Sequence, residues 1–168
     1  MDAPVMLIVA LVLTICALVF QIIGLASPYW ISYKGFGSAN AYSGLWKTCT
    51  EIQKTTCTDI ADKEDWMGAV QAMSILGFLV LVVAVVMTVL KLFVMKDNKP
   101  VLFAGIGTSF AGGIFILIAV AVYAAKTNDR FDKLNIEFDF HFAFAFSIIA
   151  MITAFAAGGV MIFGMMKE

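Results

Sequence analysis

The chain has 168 residues, of which 62% are hydrophobic and 14% are charged, and its formal net charge is −1. The mean hydropathy of +0.96 exceeds what a soluble core of this length can bury, so much of the chain must have lipid as its solvent. The small net charge argues against nucleic-acid binding and against attraction to a membrane surface by charge alone.

Long apolar segments without charged residues recur along the chain, and each exceeds the roughly 20 residues that a helix needs to cross a bilayer core of about 30 Å. The sequence therefore predicts an all-α integral membrane four-helix bundle in a single domain, residues 1–168. The predicted helices cover residues 5–26, 67–93, 101–125 and 140–165. Between them the sequence predicts a first loop at 27–66, a tight turn at 96–99 and a second loop at 126–139.

Lysines and cysteines predict which side of the membrane each connection occupies. The tight turn is the most basic connection and has only Asp97 against its lysines, whereas each longer loop carries one more acidic than basic residue. The positive-inside rule therefore makes the turn and both termini cytoplasmic. Cys49 and Cys57 agree, because a stable disulfide between them requires the oxidising, extracytoplasmic side. We expect a multi-pass plasma membrane protein with two extracellular loops.

Local sequence patterns predict a small sheet in the first loop. Residues 29–33 are rich in β-formers and residues 45–52 alternate apolar or small side chains with polar ones, so both are predicted strands. The second strand would turn back near 53–55 and bring Cys57 opposite Cys49, because a disulfide requires Cα atoms within about 7 Å. We therefore predict a disulfide-stapled extracellular antiparallel β-sheet.

Glycines are expected to allow the chain to reverse within this loop, and tryptophans are expected to supply its apolar core. Gly35, Gly37 and Asn40 lie between the predicted strands and permit a reversal of the chain. Trp30 and Trp46 would supply apolar contacts against the sheet or the outer ends of the helices. Taken singly, either tryptophan could instead be an ordinary aromatic residue of the membrane interface.

Zinc binding is the alternative for the cysteine pair. Two cysteines alone make a poor structural zinc site, and the sole histidine, His141, lies at the mouth of the fourth helix. His141 beside Asp139 is expected to be structural, since neither a nucleophile with its base nor a metal cluster accompanies it. We expect no catalytic residue, no metal and no cofactor, and the chain is not expected to be an enzyme.

Residues of the first loop form a W-GLW-C-C pattern: Trp30, Gly44, Leu45, Trp46, Cys49 and Cys57. In this pattern, and over its whole length, the chain resembles the claudin and peripheral myelin protein superfamily. Residues 65–66 and 69–76 look most like the branch of peripheral myelin, epithelial membrane and lens fibre membrane proteins. Strand-forming claudins carry an arginine near the start of the second helix, where this chain has Gln71.

The predicted helices carry few polar features. Gln21 and Gln71 are expected to form hydrogen bonds within the bundle, and rows of small residues are expected to pack helix against helix rather than form an oligomer interface. The phenylalanines of 138–146 alternate at period two, yet the segment runs into a long apolar stretch and is predicted to be helical. Charged residues are missing from the helix centres, which argues against pumping.

An ordered extracellular loop on a chain without catalytic residues suggests two classes of function. The first is a structural and adhesive membrane protein that contacts copies of itself through its extracellular loops. The alternative, which the superfamily resemblance implies, is an auxiliary subunit or organiser of an ion channel or receptor. A channel formed by its own oligomer rests on superfamily analogy alone. The expected partners are the lipid bilayer and either further copies or another membrane protein.

Overall fold

A computed structural model describes residues 3–34, 39–51, 54–60 and 65–167 of the chain. Within these ranges, four helices and one small sheet form the fold. The helices are α1 (Ala3–Ala26), α2 (Asp65–Val89), α3 (Lys99–Leu134) and α4 (Phe142–Met166), and a π-helical turn, Leu90–Val94, continues α2. The strands are β1 (Ile31–Lys34), β2 (Asn40–Ser43), β3 (Lys47–Glu51), β4 (Thr55–Asp59) and β5 (Phe138–Phe140).

Each of the four described helices is long and apolar enough to cross a membrane. Their outward faces carry exposed apolar side chains, including Val12, Leu79 and Ile152, as expected for contact with lipid. The predicted fold class, a membrane helix bundle with a small antiparallel sheet, is confirmed, and the chain is a multi-pass membrane protein.

Glycines let the helices of the bundle approach closely. A Cβ atom on Gly113 would lie 2.7 Å from the ring of Phe155, and one on Gly158 would lie 2.7 Å from the ring of Phe110. Close packing of this kind joins helices in lipid, where the hydrophobic effect does not act between them. The expectation of packing within the bundle thus holds at these positions. The row expected in the second helix, Gly68 and Ala72, does not pack at Gly68, because a Cβ atom added there would meet no described atom within 4 Å outside its own turn of helix.

Helix α3 is longer than predicted, because the expected boundary at residue 125 marks the end of the apolar run and not the end of the helix. Tyr123, Thr127 and Phe131, spaced by four residues, are all buried along one face that continues past that boundary. The helix stops at Asn135, whose φ of 57° is the left-handed conformation common after helix ends. Most of the predicted second loop is therefore helical.

The sheet combines both loops, with strand order β4-β3-β2-β1-β5 and antiparallel pairing throughout. Strand β5 corrects the prediction that Phe138–Phe140 begins the fourth helix. The phenylalanines alternate at period two because this segment is a strand. It pairs with β1, and Asp139 lies opposite Ser32. The helix begins only after His141, whose backbone N–H donates to the carbonyl oxygen of Trp30 at 2.8 Å.

The strands of the first loop also differ in their bounds from those predicted. The strand expected at 29–33 is β1, at 31–34, and the one expected at 45–52 is β3, at 47–51. Leu45 and Trp46 precede β3 at a corner instead of lying in it. Asn40, expected in the reversal, opens the additional strand β2, whereas Gly35 and Gly37 lie outside the described residues.

Candidate functional site

Two tryptophan side chains cap the C-terminal end of α1. The indole Nε1 of Trp30 donates to the carbonyl oxygen of Gly24 at 2.6 Å, and that of Trp46 donates to the carbonyl oxygen of Leu25 at 2.9 Å. The last four carbonyl groups of an α-helix have no partner within the helix, and leaving them unpaired in an apolar environment is costly. The first loop therefore completes the hydrogen bonding of the first membrane helix.

The ring of Trp30 also joins three helices at their ends nearest the sheet. It is fully buried and meets Tyr123 of α3 edge-on, with ring centroids 4.8 Å apart, and Phe144 of α4 at 5.6 Å. Such edge-to-face pairs add about 0.5–1.5 kcal/mol to the effect of burial alone. Because its indole N–H binds α1, one side chain ties the start of β1 to α1, α3 and α4.

Gly44 stands where the corner before β3 passes over the end of α1. A Cβ atom at this position would lie 2.5 Å from the carbonyl oxygen of Ser27 and 2.6 Å from Cα of Pro28. Both are backbone atoms, which cannot move away as the tip of a flexible side chain can. Only glycine fits here without displacing the chain, which explains the first residue of the Gly44-Leu45-Trp46 sequence.

The corner is held from the other side by α2. Leu45 is fully buried, and its carbonyl oxygen accepts a hydrogen bond of 2.6 Å from Nε2 of Gln71, which is itself buried. Gln71 was expected to bond within the bundle, but its amide reaches the loop instead. Gln21 does bond within the bundle, donating to the carbonyl oxygen of Ser74 at 3.1 Å.

The disulfide lies at the far side of the sheet from β5. Cys49 of β3 and Cys57 of β4 are directly opposite in register, with Cα atoms 4.0 Å apart, and they are bonded as predicted. Cys49 is fully buried and Cys57 is exposed. A ring closed over so few residues stabilises the strand pair by about 2–3 kcal/mol on the chain-entropy model.

The arrangement is thus a sheet fixed to the helical bundle at its inner corner and stapled near its outer edge. A model of the PMP-22/EMP/MP20/Claudin family matches residues 3–162, nearly the whole chain. The chain belongs to this family. The superfamily predicted from the W-GLW-C-C pattern is therefore confirmed, whereas the particular branch stays a prediction. Among curated proteins, none matches this chain significantly.

In this member of the PMP-22/EMP/MP20/Claudin family, His141 is surrounded by aromatic rings. Its ring centroid lies 5.0 Å from that of Phe142, 5.4 Å from that of Tyr29 and 5.5 Å from that of Tyr42. Asp139 belongs to β5, the strand that ends just before His141. Both residues line an open groove of about 690 Å³. Among the described residues, no group of three or more histidine, cysteine, aspartate or glutamate side chains could hold a metal ion.

The fold places four of the six motif residues, Trp30, Gly44, Leu45 and Trp46, at the corner beside α1, and the other two in the disulfide between β3 and β4. Trp30, Gly44 and Trp46 act on the backbone of 24–28, which has no distinctive side chains. Gln71 was singled out by its polarity within an apolar run, and that same signal could have indicated a contact with the loop. Tyr123 and Phe144 had no comparable signal, because aromatic residues are common at helix ends in membranes.

Proposed function

We propose that this family member is a structural and adhesive protein of the plasma membrane, in which the sheet joins copies of the chain to one another. The family consists of structural membrane proteins. Trp30, Gly44, Trp46 and Gln71 hold the corner of the sheet against α1 and α2. This attachment supports the proposed role, because a sheet held rigidly on the membrane can transmit force and preserve the geometry of an assembly.

The observation that carries the proposal is the exposed edge of β4. All five residues of this strand are exposed, and within the described part of the chain it pairs only with β3. An edge strand offers unpaired backbone N–H and C=O groups to another strand, and proteins that avoid such pairing protect the edge with charge, proline or a bulge. β4 has three β-favouring threonines, no proline and a single charge, Asp59. It is therefore suited to pairing with a second copy.

A second surface lies at the outer end of α3. This helix has 36 residues and is about 54 Å long, so it exceeds the bilayer core of about 30 Å. Leu134 and Ile136 at its end are exposed. Apolar side chains that project beyond the bilayer suit contact with an opposed membrane. We assign lateral assembly to the β4 edge and adhesion to this apolar tip.

The proposed orientation places the sheet outside the cell and both ends of the chain, with the turn at 96–99, in the cytoplasm. The Cys49–Cys57 bond supports this orientation, since it persists in an oxidising compartment. Lysines near the turn support it as well, by the positive-inside rule.

Expression in non-adhesive cells tests the proposal. We expect cell aggregation, together with clustered particles in freeze-fracture images of the membrane. The double variant Leu134→Gln and Ile136→Gln should lose aggregation but keep clustering, while Thr56→Lys should lose clustering. Lys126→Gln, an exposed position on the same extension of α3, is the matched control and should change neither.

Two outcomes would overturn the proposal. If the wild-type chain is well expressed but its particles stay dispersed in the membrane and the cells do not aggregate, both lateral assembly and adhesion are contradicted. Recovery in mild detergent of a different membrane protein in fixed stoichiometry, without a second copy of this chain, would favour the auxiliary-subunit alternative.

A further inference from the structure

The inner end of α2 is a π-helical turn that buries a lysine. The backbone N–H of Met95 donates to the carbonyl oxygen of Leu90, five residues earlier, at 2.6 Å. Lys91 within this turn is only 3% exposed, and its Nζ donates to the carbonyl oxygen of Lys96 at 2.7 Å. Single π-helical turns occur frequently at functional sites. Here the turn fixes the backbone of Lys96 against the end of the helix.

A hollow of about 340 Å³ lies between this turn and the first turns of α1. Its walls are mostly apolar and include Leu7, Ile8 and Phe93, while the lysines at 91 and 96 supply its positive charge. Phe93 is 65% exposed, so the apolar wall continues onto the lipid-facing surface. The hollow thus combines an apolar interior, a basic side and access from the bilayer.

We propose that this hollow binds a phospholipid with an anionic headgroup. The ammonium group of Lys96 pairs with the net negative charge of the headgroup, which a zwitterionic lipid lacks, and an acyl chain lies along Ile8 and Phe93. Lys91 is a positioning residue, because its bond to the Lys96 carbonyl holds that residue at the site. Ligand pockets commonly measure about 300–1,000 Å³, so a hollow of this size holds one part of a lipid whose remainder stays in the bilayer.

Charge and location favour an anionic lipid over a zwitterionic one. The segment 91–99 carries three lysines and one aspartate. Basic pockets between membrane helices bind anionic headgroups, and each lysine near such a surface contributes about 1 kcal/mol. In the proposed orientation the site faces the cytoplasmic leaflet, where anionic lipids are concentrated. Binding itself does not depend on adhesion between cells, so the two proposals can fail separately.

Native mass spectrometry of the full chain, released from micelles with equal amounts of phosphatidylserine and phosphatidylcholine of identical acyl chains, tests the site. We expect one retained lipid with a preference for phosphatidylserine. Lys96→Gln should lower that preference about fivefold, which corresponds to the contribution of one lysine. Ile8→Trp should lower retention by filling the hollow while leaving every charge in place. Excess inorganic phosphate should not displace the lipid, because phosphate has no acyl chain.

Lys99→Gln is the matched control, since it removes the same charge from the same turn but does not line the hollow. It should change the preference less than Lys96→Gln does. Equal losses in the two variants would contradict a defined site and indicate general attraction to the lysines. Displacement by inorganic phosphate, or equal retention of both lipids by the wild-type chain, would likewise overturn the proposal.

Discussion

The indole Nε1 of Trp30 donates a hydrogen bond of 2.6 Å to the carbonyl oxygen of Gly24, six residues earlier in the chain. Trp46 makes a corresponding bond of 2.9 Å to the carbonyl oxygen of Leu25. Helix α1 is therefore capped by the loop that follows it, and the sheet cannot leave the bundle without exposing these carbonyl groups. Folding of the helix end and docking of the sheet become one event.

Replacing Trp30 with Phe tests this cap, because the ring remains aromatic but the N–H donor is lost. We expect the free energy of unfolding to fall by about 1–3 kcal/mol, the cost of a buried acceptor left unpaired. Trp46→Phe is the comparison, and its effect should be smaller because Trp46 is only partly buried. The measurement is thermal unfolding of the full chain in mild detergent. A wild-type melting temperature for Trp30→Phe would refute the capping role.

Gly44→Ala should destabilise the chain by about 1–3 kcal/mol through overpacking, because the new Cβ meets the backbone of Ser27 and Pro28. Gly107→Ala is the matched control, since no described atom outside its own turn of helix lies within 4 Å of its added Cβ. Alanine in a helix is favoured over glycine, so the control should be neutral or slightly stabilising. Melting temperature and delivery to the cell surface would be measured together, and equal behaviour of the two variants would count against the close approach at Gly44.

Gln71→Leu should detach the corner before β3 from α2, because the buried carbonyl of Leu45 would lose its donor. The expected cost is again about 1–3 kcal/mol. Gln71→Arg supplies donors at the same position and should recover at least part of that loss. Hydrogen exchange of the backbone at 45–51 reports the detachment directly. If residues 45–51 exchange at the same rate in the Gln71→Leu and Gln71→Arg variants, the hydrogen bond from residue 71 does not hold the corner.

The double variant Cys49→Ser and Cys57→Ser should loosen the outer half of the sheet and leave the helices inserted. We expect local stability of β3 and β4 to fall by about 2–3 kcal/mol. Alkylation of the unfolded wild-type chain should modify Cys16 alone before reduction and all three cysteines afterwards. Faster hydrogen exchange in β3 with unchanged exchange in α4 is the predicted result. Loss of protection in α4 would show that the disulfide supports the bundle as well.

The sequence predicted those features that depend on composition or on near neighbours. The apolar runs indicated the membrane helices, because few other environments accept so many apolar residues. The pairing of Cys49 with Cys57 followed from a short hairpin. The extension of α3 was missed because the length of the apolar run was used, although the buried spacing of Tyr123, Thr127 and Phe131 continues beyond it.

Contacts between segments far apart in the chain, and hydrogen bonds to backbone carbonyl groups, were harder to predict from the sequence. Strand β5 pairs with β1 more than 100 residues away, and its alternating phenylalanines compete with the apolar run that follows. The tryptophans were expected to contribute apolar contacts, but their N–H groups bind backbone carbonyls. Any residue at 24 or 25 provides a carbonyl group, so no pattern in the sequence identifies these acceptors.

Photo-crosslinking at the edge of β4 tests whether copies of the chain assemble through this strand. A photoreactive amino acid in place of the exposed Thr56 would be compared, in intact cells, with the same amino acid in place of the exposed Lys126 of α3. We expect crosslinked dimers of this chain from position 56 and few from position 126. If the variant labelled at position 56 reaches the membrane in the same amount as the wild-type chain but yields only monomers, assembly through the β4 edge is contradicted.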